Sequence, residues 1–278
     1  DIPSTIKNLG GDPENPFVVF PEVAELYANR REELLKMAAQ KKAEQAEWAK
    51  KNPELAAKLE KFFSGKAPEI DYSKIEQKPN QATRVGSATV LGALAEQVEN
   101  MIVASADLSN SDKTDGFLKK TKPFEHGDFS GAFLNAGVSE LTMACIMNGI
   151  ALHGGLFAAC GTFFVFSDYM RPSMRLAALM GTRVIYVLTH DSIGVGEDGP
   201  THQPIEHLAG LRAMPNMKVY RPADGRETTA AWIAALTGKE PSCLFLSRQT
   251  LPMLEGSGDK AFKGGYILAD SEKKTPDV

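Results

Sequence analysis

The chain has 278 residues, 43% of them hydrophobic, with 31 Lys and Arg against 35 Asp and Glu for a formal net charge of −4. That balance offers no basic field to nucleic acid, and no apolar run reaches the roughly 20 residues a membrane helix needs, so neither partner is expected. Cys145, Cys160 and Cys243 stand apart in apolar surroundings, too scattered for a disulfide framework or a zinc cluster, which points to a reduced, cytoplasmic protein.

Residues 1–16 carry Pro3, Gly10, Gly11, Pro13 and Pro16, a breaker density that predicts an extended lead-in. Pro21 opens a helix at its first position, with Val23, Leu26, Tyr27, Leu34 and Ala38 roughly on one face. Pro53 starts a second helix that carries Leu55, Leu59, Phe62 and Phe63 before Gly65 ends it. This charged pair has too little apolar area to fold alone, so residues 1–81 read as a connector lying along another surface.

From Arg84 the texture alternates. A helix through Leu91 and Leu94 precedes a strand at Met101–Ala104 and a polar loop from Ser105 to Phe129. Further strands are expected at Phe157–Ala159, Val184–Leu188, Met217–Tyr220 and Cys243–Leu246, with helices between them. That order predicts an α/β fold, a parallel sheet with helices on both faces, over residues 82–252. Asp224 and Glu227, three apart ahead of the apolar run Ala231–Leu236, read as a capping box. Both ends look cut from something longer: Asp1 follows no initiator Met or leader, and the chain stops at Val278 soon after a strand-like Tyr266–Ala269.

The stretch Thr189–Asn216 emerges at the carboxyl end of the β-branched run Arg183–Leu188, where open α/β sheets place their sites. It gathers His190, Asp191, Glu197, Asp198 and His202 with Gly194, Gly196, Gly199 and Pro200. Glycines let backbone pass close to a ligand, and acids and imidazoles orient hydroxyls and move protons; the bland alternative is a solvated crossover loop. Glu140 stands at the start of the apolar helix Leu141–Ile150, where the helix dipole alone favours an acid. Phe163, Phe166 and Tyr169, three apart, read by themselves as a core stripe, and Arg84, Ser111 and Arg248 as surface residues. His202 and His207 are five apart and share no helical face, which argues against a metal site here.

Taken together, four ordered segments closely resemble the motifs of transketolases: 135–155 the glutamate helix, 160–181 the aromatic segment, 189–216 the long motif and 244–252 the basic loop. The resemblance runs from about Arg84 to Pro252, the family's pyrimidine-binding domain. It implies thiamine-diphosphate-dependent transfer of a two-carbon ketol unit from a ketose phosphate to an aldose phosphate. It maps Glu140 onto the glutamate that hydrogen-bonds the cofactor's aminopyrimidine and lets the cofactor act as its own base. Phe163, Phe166 and Tyr169, after a Gly161–Thr162 turn, map onto the aromatic platform for that ring, with Phe166 best placed, and Asp107 onto a cofactor-proximal position. His190 is implied to meet the donor's first hydroxyl, Asp198 the acceptor's second-carbon hydroxyl and His202 the channel toward the phosphate. Arg84, Ser111 and Arg248 are implied to hold that phosphate.

This chain departs from the pattern at Ser139, Leu141 and Cys160, where a basic residue, an aromatic or histidine, and a small residue are usual. The family's diphosphate site and its Mg or Ca ligands lie on another domain, and no metal ligands are assigned in this chain. The resemblance therefore implies one wall of a site, completed by the diphosphate-binding domain of the other subunit of a homodimer, and a chain that is silent alone. Residues 253–278 would lead into a third domain. Another thiamine enzyme, such as a deoxyxylulose-phosphate synthase or a dehydrogenase beta chain, is one rival; the uninterrupted string 194–204 argues against it. A non-catalytic dimerisation or regulatory module is the other, and the joint presence of Glu140, His190, His202 and Arg248 weighs against that.

Overall fold

In the computed structural model, which describes residues 1–272 and Thr275, the chain divides into two compact units, Asp1–Leu59 and Glu60–Val278. The first contains α1 (Ile2–Asn8), α2 (Pro21–Lys51) and the start of α3 (Pro53–Phe63). The helix α1 corrects the expected extended lead-in. Asp1 caps it by accepting from the Ser4 N–H at 2.8 Å, and Pro3 sits in the first turn, where no N–H is needed. α2 opens at Pro21 and α3 at Pro53 as expected, and Gly65 follows α3 at φ 64°. No residue of α1 or α2 is buried, so the stripe of Leu26, Tyr27 and Leu34 stays open within its unit.

The second unit is built on six parallel strands in the order β2-β1-β3-β4-β6-β5. They are β1 (Met101–Ser105), β2 (Phe133–Asn135), β3 (Phe157–Phe163), β4 (Val184–Thr189), β5 (Lys218–Tyr220) and β6 (Ser242–Leu246). Alternation along the strands sends side chains to two cores. Ile102, Ala104, Tyr186, Leu188 and Phe245 meet Met143 and Met147 of α7 (Glu140–His153), Met170 and Met174 of α8 (Ser167–Met180), and Leu211 of α9 (His207–Arg212). Met101, Val103, Ile185, Val187 and Leu244 meet Val90, Leu91 and Leu94 of α4 (Thr83–Gln97) and Trp232 and Leu236 of α10 (Gly225–Thr237). The fully buried Trp232 donates its indole N–H to Ser87 Oγ at 2.9 Å, tying α10 to α4. The α/β fold with helices on both faces is as the sequence predicts.

Four local expectations are corrected. The loop after β1 holds two one-turn helices, α5 (Ser109–Asp112) and α6 (Asp115–Leu118), and then the unexpected edge strand β2. Gly161 and Thr162 lie inside β3, paired with Val187 and Leu188 of β4, and a 3-10 turn at Phe164–Phe166 follows. Tyr266–Ala269 forms no strand: instead of pairing with the edge strand β5, Tyr266 donates its hydroxyl to Glu227 of α10. Of the expected lead-in 253–278, residues 273, 274 and 276–278 lie outside the described residues. The Asp224–Glu227 capping box forms: Asp224 Oδ1 accepts from the Glu227 N–H at 2.9 Å, and Glu227 Oε2 from the Ala223 N–H at 2.7 Å. Among the described residues no helix is long and apolar enough to cross a membrane.

Candidate active site

Parallel strands deliver their carboxyl ends to one edge of the sheet. The chain leaves β1 toward β2 and β3 toward β4, in opposite directions, which opens a crevice between β1 and β3. The candidate residues cluster in sequence at this edge: Asp107 and Ser111 follow β1, Glu140 heads the helix after β2, Phe163 ends β3, His190 follows β4 and Arg248 follows β6. Arg84 arrives from elsewhere. The start of α4 is stitched to the end of β6, with Thr83 N–H donating to Ser247 Oγ at 3.0 Å and Ser247 N–H to Thr83 Oγ1 at 2.7 Å.

His190 is the hub. It has φ 59°, is buried, and stacks on Phe163 with ring centroids 3.6 Å apart at 27°. Its Nδ1 lies 2.9 Å from Thr189 Oγ1 and its Nε2 3.4 Å from Arg84 Nη1. That same Arg84 nitrogen donates to the Ser111 carbonyl at 2.5 Å. Burial, then the charges of Arg84 and Arg248 and the nearby His202, push the His190 imidazole down to about 3. It is therefore neutral near pH 7, free to accept from or donate to a hydroxyl. Burial and Arg248 also hold Arg84 below the ordinary guanidinium value, while Asp112 supports its charge.

The three aromatics do not form a helical stripe; they come from a strand end, a 3-10 turn and a helix. Phe163 is enclosed between His190 and Phe166, whose ring lies parallel to it within 7° at 5.7 Å. His202 sets its edge on Phe166 at 5.3 Å and on Phe163 at 6.1 Å. Tyr169 is 6.2 Å from Phe166 and 65% exposed, so Phe166 and Tyr169 keep the open ring surface. Glu140 is 7% exposed in the first turn of α7, and its carboxylate makes no hydrogen bond or ion pair with any described residue. A buried acid left unpaired at a crevice is costly unless something binds it.

Other candidates are placed more loosely. Asp107 is exposed with φ 62°, at the mouth of the turn after β1. Asp198 is exposed in the loop 196–199, and its carboxylate bonds to no described residue, so nothing draws it onto His190 or His202. Arg248 is exposed but close enough to Arg84 and His190 to depress both. His207 is buried at the start of α9, with Nε2 3.1 Å from Asp168 Oδ2 and its ring edge on Phe164. Asp168, Glu206 and His207 do bring ligand-capable atoms within 4.8 Å, but Arg171, 3.6 Å from Asp168, already supplies a cation there.

Three residues support the site through contacts that the sequence does not show. The Asp191 side chain is 7% exposed and accepts from Arg221 Nε at 3.0 Å, pinning the loop beside His190 to the end of β5. The Gln249 amide packs on Gly194 so closely that a Cβ there would lie 2.5 Å from Gln249 Oε1. Asp112 is fully buried beneath the Ser111 turn. The Asp-x-Thr pattern of Asp112 and Thr114, an acid accepting from the backbone N–H two residues on, is the one local signal that could have found it.

Comparison with known proteins agrees with this geometry. Residues 80–253 match the family described as "Transketolase, pyrimidine binding domain". The chain is 46% identical over 266 residues to the transketolase of Geobacillus stearothermophilus, covering 91% of this chain and 40% of that protein. The Pichia stipitis transketolase in complex with sedoheptulose-7-phosphate superposes with a TM-score of 0.87 at 41% identity, over 98% of this chain and 42% of that one. A structure described as a split-gene transketolase, an inactive β4 tetramer, gives 0.52 at 26% identity, over 65% of this chain and 55% of that one. The chain thus spans about two fifths of the length of the curated relatives it matches. By the extent of these matches, the chain belongs to the transketolase family, as its pyrimidine-binding domain.

Proposed function

We propose that this chain supplies the pyrimidine and sugar-phosphate wall of a thiamine-diphosphate enzyme that moves a two-carbon ketol unit from a ketose phosphate to an aldose phosphate. The observation that carries the reading is the coincidence, at one sheet edge, of an unpaired buried acid, open aromatic surface and a neutral imidazole beside two guanidinium groups. The cofactor fits those residues. Glu140 would hold the ring nitrogen of its aminopyrimidine, with Phe166 and Tyr169 offering flat surface and Phe163 backing Phe166. Thiamine diphosphate, when bound, supplies the nucleophilic carbon and electron sink that cleavage beside a carbonyl requires.

This chain's own residues would do the rest. Glu140 would hydrogen-bond the ring nitrogen from its place in the first turn of α7. The neutral His190 accepts from or donates to the donor's first hydroxyl. His202 lines the way toward the phosphate, and Asp198 reads the acceptor's second-carbon hydroxyl. Hydroxyls are recognised sharply by such groups because a missing one leaves its partner unpaired. Arg84, Arg248 and Ser111 meet the dianion, where guanidinium forks are well suited to oxygen pairs. Asp107 stands toward the cofactor.

The diphosphate and its Mg or Ca ion would be held by the diphosphate-binding domain, in a homodimer where each site joins two subunits. The inactivity of the split-gene β4 tetramer is consistent with a wall that cannot work alone. The test pairs this chain with a diphosphate-binding portion and assays it with a ketose phosphate, an aldose phosphate, the cofactor and a divalent ion. Transfer by the pair and none by the chain alone is expected. An inert pair, or robust turnover by the chain alone, overturns the reading.

A further inference from the structure

Asp112 is the most deeply buried acid at the site edge, with no exposed surface and no place in the chemistry above. It nonetheless uses its carboxylate fully. Oδ2 accepts from Ser105 Oγ at 2.7 Å, and Oδ1 accepts from the Thr114 N–H at 2.8 Å and from Thr114 Oγ1 at 2.7 Å. Ser105 Oγ in turn accepts from the Leu108 N–H at 3.2 Å, so one acid fixes the whole turn between β1 and α6. That turn needs fixing. Asp107 and Lys113, at its two ends, both have left-handed backbone, at φ 62° and 68°, a conformation that non-glycine residues keep only where surroundings impose it.

Between them lies Ser111. Its carbonyl accepts from Arg84 Nη1 at 2.5 Å, so the turn that Asp112 holds sets where the guanidinium points. The carboxylate is also seated against the sheet: a Cβ on Gly161 of β3 would lie 2.9 Å from Asp112 Oδ2 and 2.5 Å from Thr114 Cγ2. The contact leaves no slack. Resting on the assignment of Arg84 and Ser111 to the substrate phosphate, we infer that Asp112 is the positioning residue of the anion subsite, aligning Ser111 and Arg84 without touching substrate.

The inference separates binding of the phosphate from chemistry at the ketol end. In the complete enzyme, Asp112→Ala should raise KM for a ketose phosphate roughly tenfold, since the buried donors of Ser105 and Thr114 lose their acceptor. Turnover number should change little, and kcat/KM for the same ketose without its phosphate should not change. Asp112→Asn should restore the low KM, because the amide oxygen can accept from Thr114 and the amide nitrogen can donate to Ser105 Oγ. Should Asp112→Ala fail to fold, Ser105→Ala removes one of the three bonds and should still raise KM for the phosphorylated sugar alone. An unchanged preference for the phosphorylated sugar in these variants, or an equal loss for both sugars, overturns the inference. A wild-type enzyme indifferent to the phosphate overturns the assignment of Arg84 and Ser111 itself, and this inference with it.

Discussion

Arg84 Nη1 stands 3.4 Å from His190 Nε2. A guanidinium keeps its proton and can only donate, so it faces the lone pair of that imidazole nitrogen. The ring proton then belongs on Nδ1, 2.9 Å from Thr189 Oγ1. The pair thus fixes the tautomer and leaves His190 neutral, with burial as the larger cause and the guanidinium charges next.

The pH behaviour follows. An unfolded chain protonates this histidine near 6.5 and the folded one only near 3, so acidification across that window loads protons on the unfolded state and lowers stability. Nitrogen chemical shifts of His190 should show one Nδ1–H tautomer, flat between about pH 5 and pH 8. A titration midpoint assigned to His190 inside that range contradicts this. Replacing it, as His190→Ala, should lower kcat/KM of the complete enzyme by about a hundredfold or more, the scale of a positioned acid–base group.

Gly161 tests the packing beneath the site. An added Cβ meets Thr114 and Asp112, both held by hydrogen bonds, so the strain cannot be relieved by swinging a free side chain. Gly161→Ala should destabilise the chain by roughly 1–3 kcal/mol in denaturant unfolding. Gly149, in the middle of α7 with open space around its missing Cβ, is the control. There alanine should be neutral or stabilise by up to ~1 kcal/mol. Equal effects at the two glycines would remove the case for a tight seat under Asp112.

The contrast between these positions shows what the sequence makes legible. β1, β3, β4 and β6 announce themselves as apolar runs because they are buried on both faces, and the Pro21, Pro53 and Asp224 helix starts follow from local chemistry. β2 does not: three residues, Phe133–Asn135, at the sheet edge carry no periodicity. α1 hides behind Pro3, which reads as a breaker until Asp1 is seen to cap it. At the site, His190, His202 and Glu140 are visible through motif. The burial of Asp112 depends on Gly161, and the pinning of Asp191 on Arg221; pairings made by the sheet have no signature in either local segment. The spacing of Phe163, Phe166 and Tyr169 is legible, but not that a strand end, a turn and a helix share it.

Glu140 should be kept for function at the expense of stability. The residue is 7% exposed, its carboxylate has no partner among the described residues, and burying an unpaired acid costs more than the helix dipole of a first-turn position returns. Glu140→Gln should leave the unfolding free energy of the chain unchanged or slightly raised, while lowering kcat of the complete enzyme by about a hundredfold or more. Loss of more than about 1 kcal/mol on this substitution would mark Glu140 as a structural cap instead.

Asp112 carries the opposite pH signature from His190. Burial pushes its carboxyl up to about 6 from an ordinary 3.8, against the pull of Thr114 and Ser105; Asp115 adds to the rise, while the charge of Arg84 lies close by. Between those two values the folded chain binds more protons than the unfolded one, so this group destabilises the fold progressively as pH rises through the window and fully above it. The gap corresponds to roughly 3 kcal/mol at most. Asp112→Asn has no charge to bury, so its stability relative to wild type should grow from near zero below about pH 4 to a plateau above about pH 7. Denaturant unfolding of both proteins at a series of pH values measures the difference directly. A variant that is equally or less favoured at high pH than at low pH would mean that the Asp112 carboxylate is already ionised at little cost, and that hydrogen bonds outweigh burial at this position.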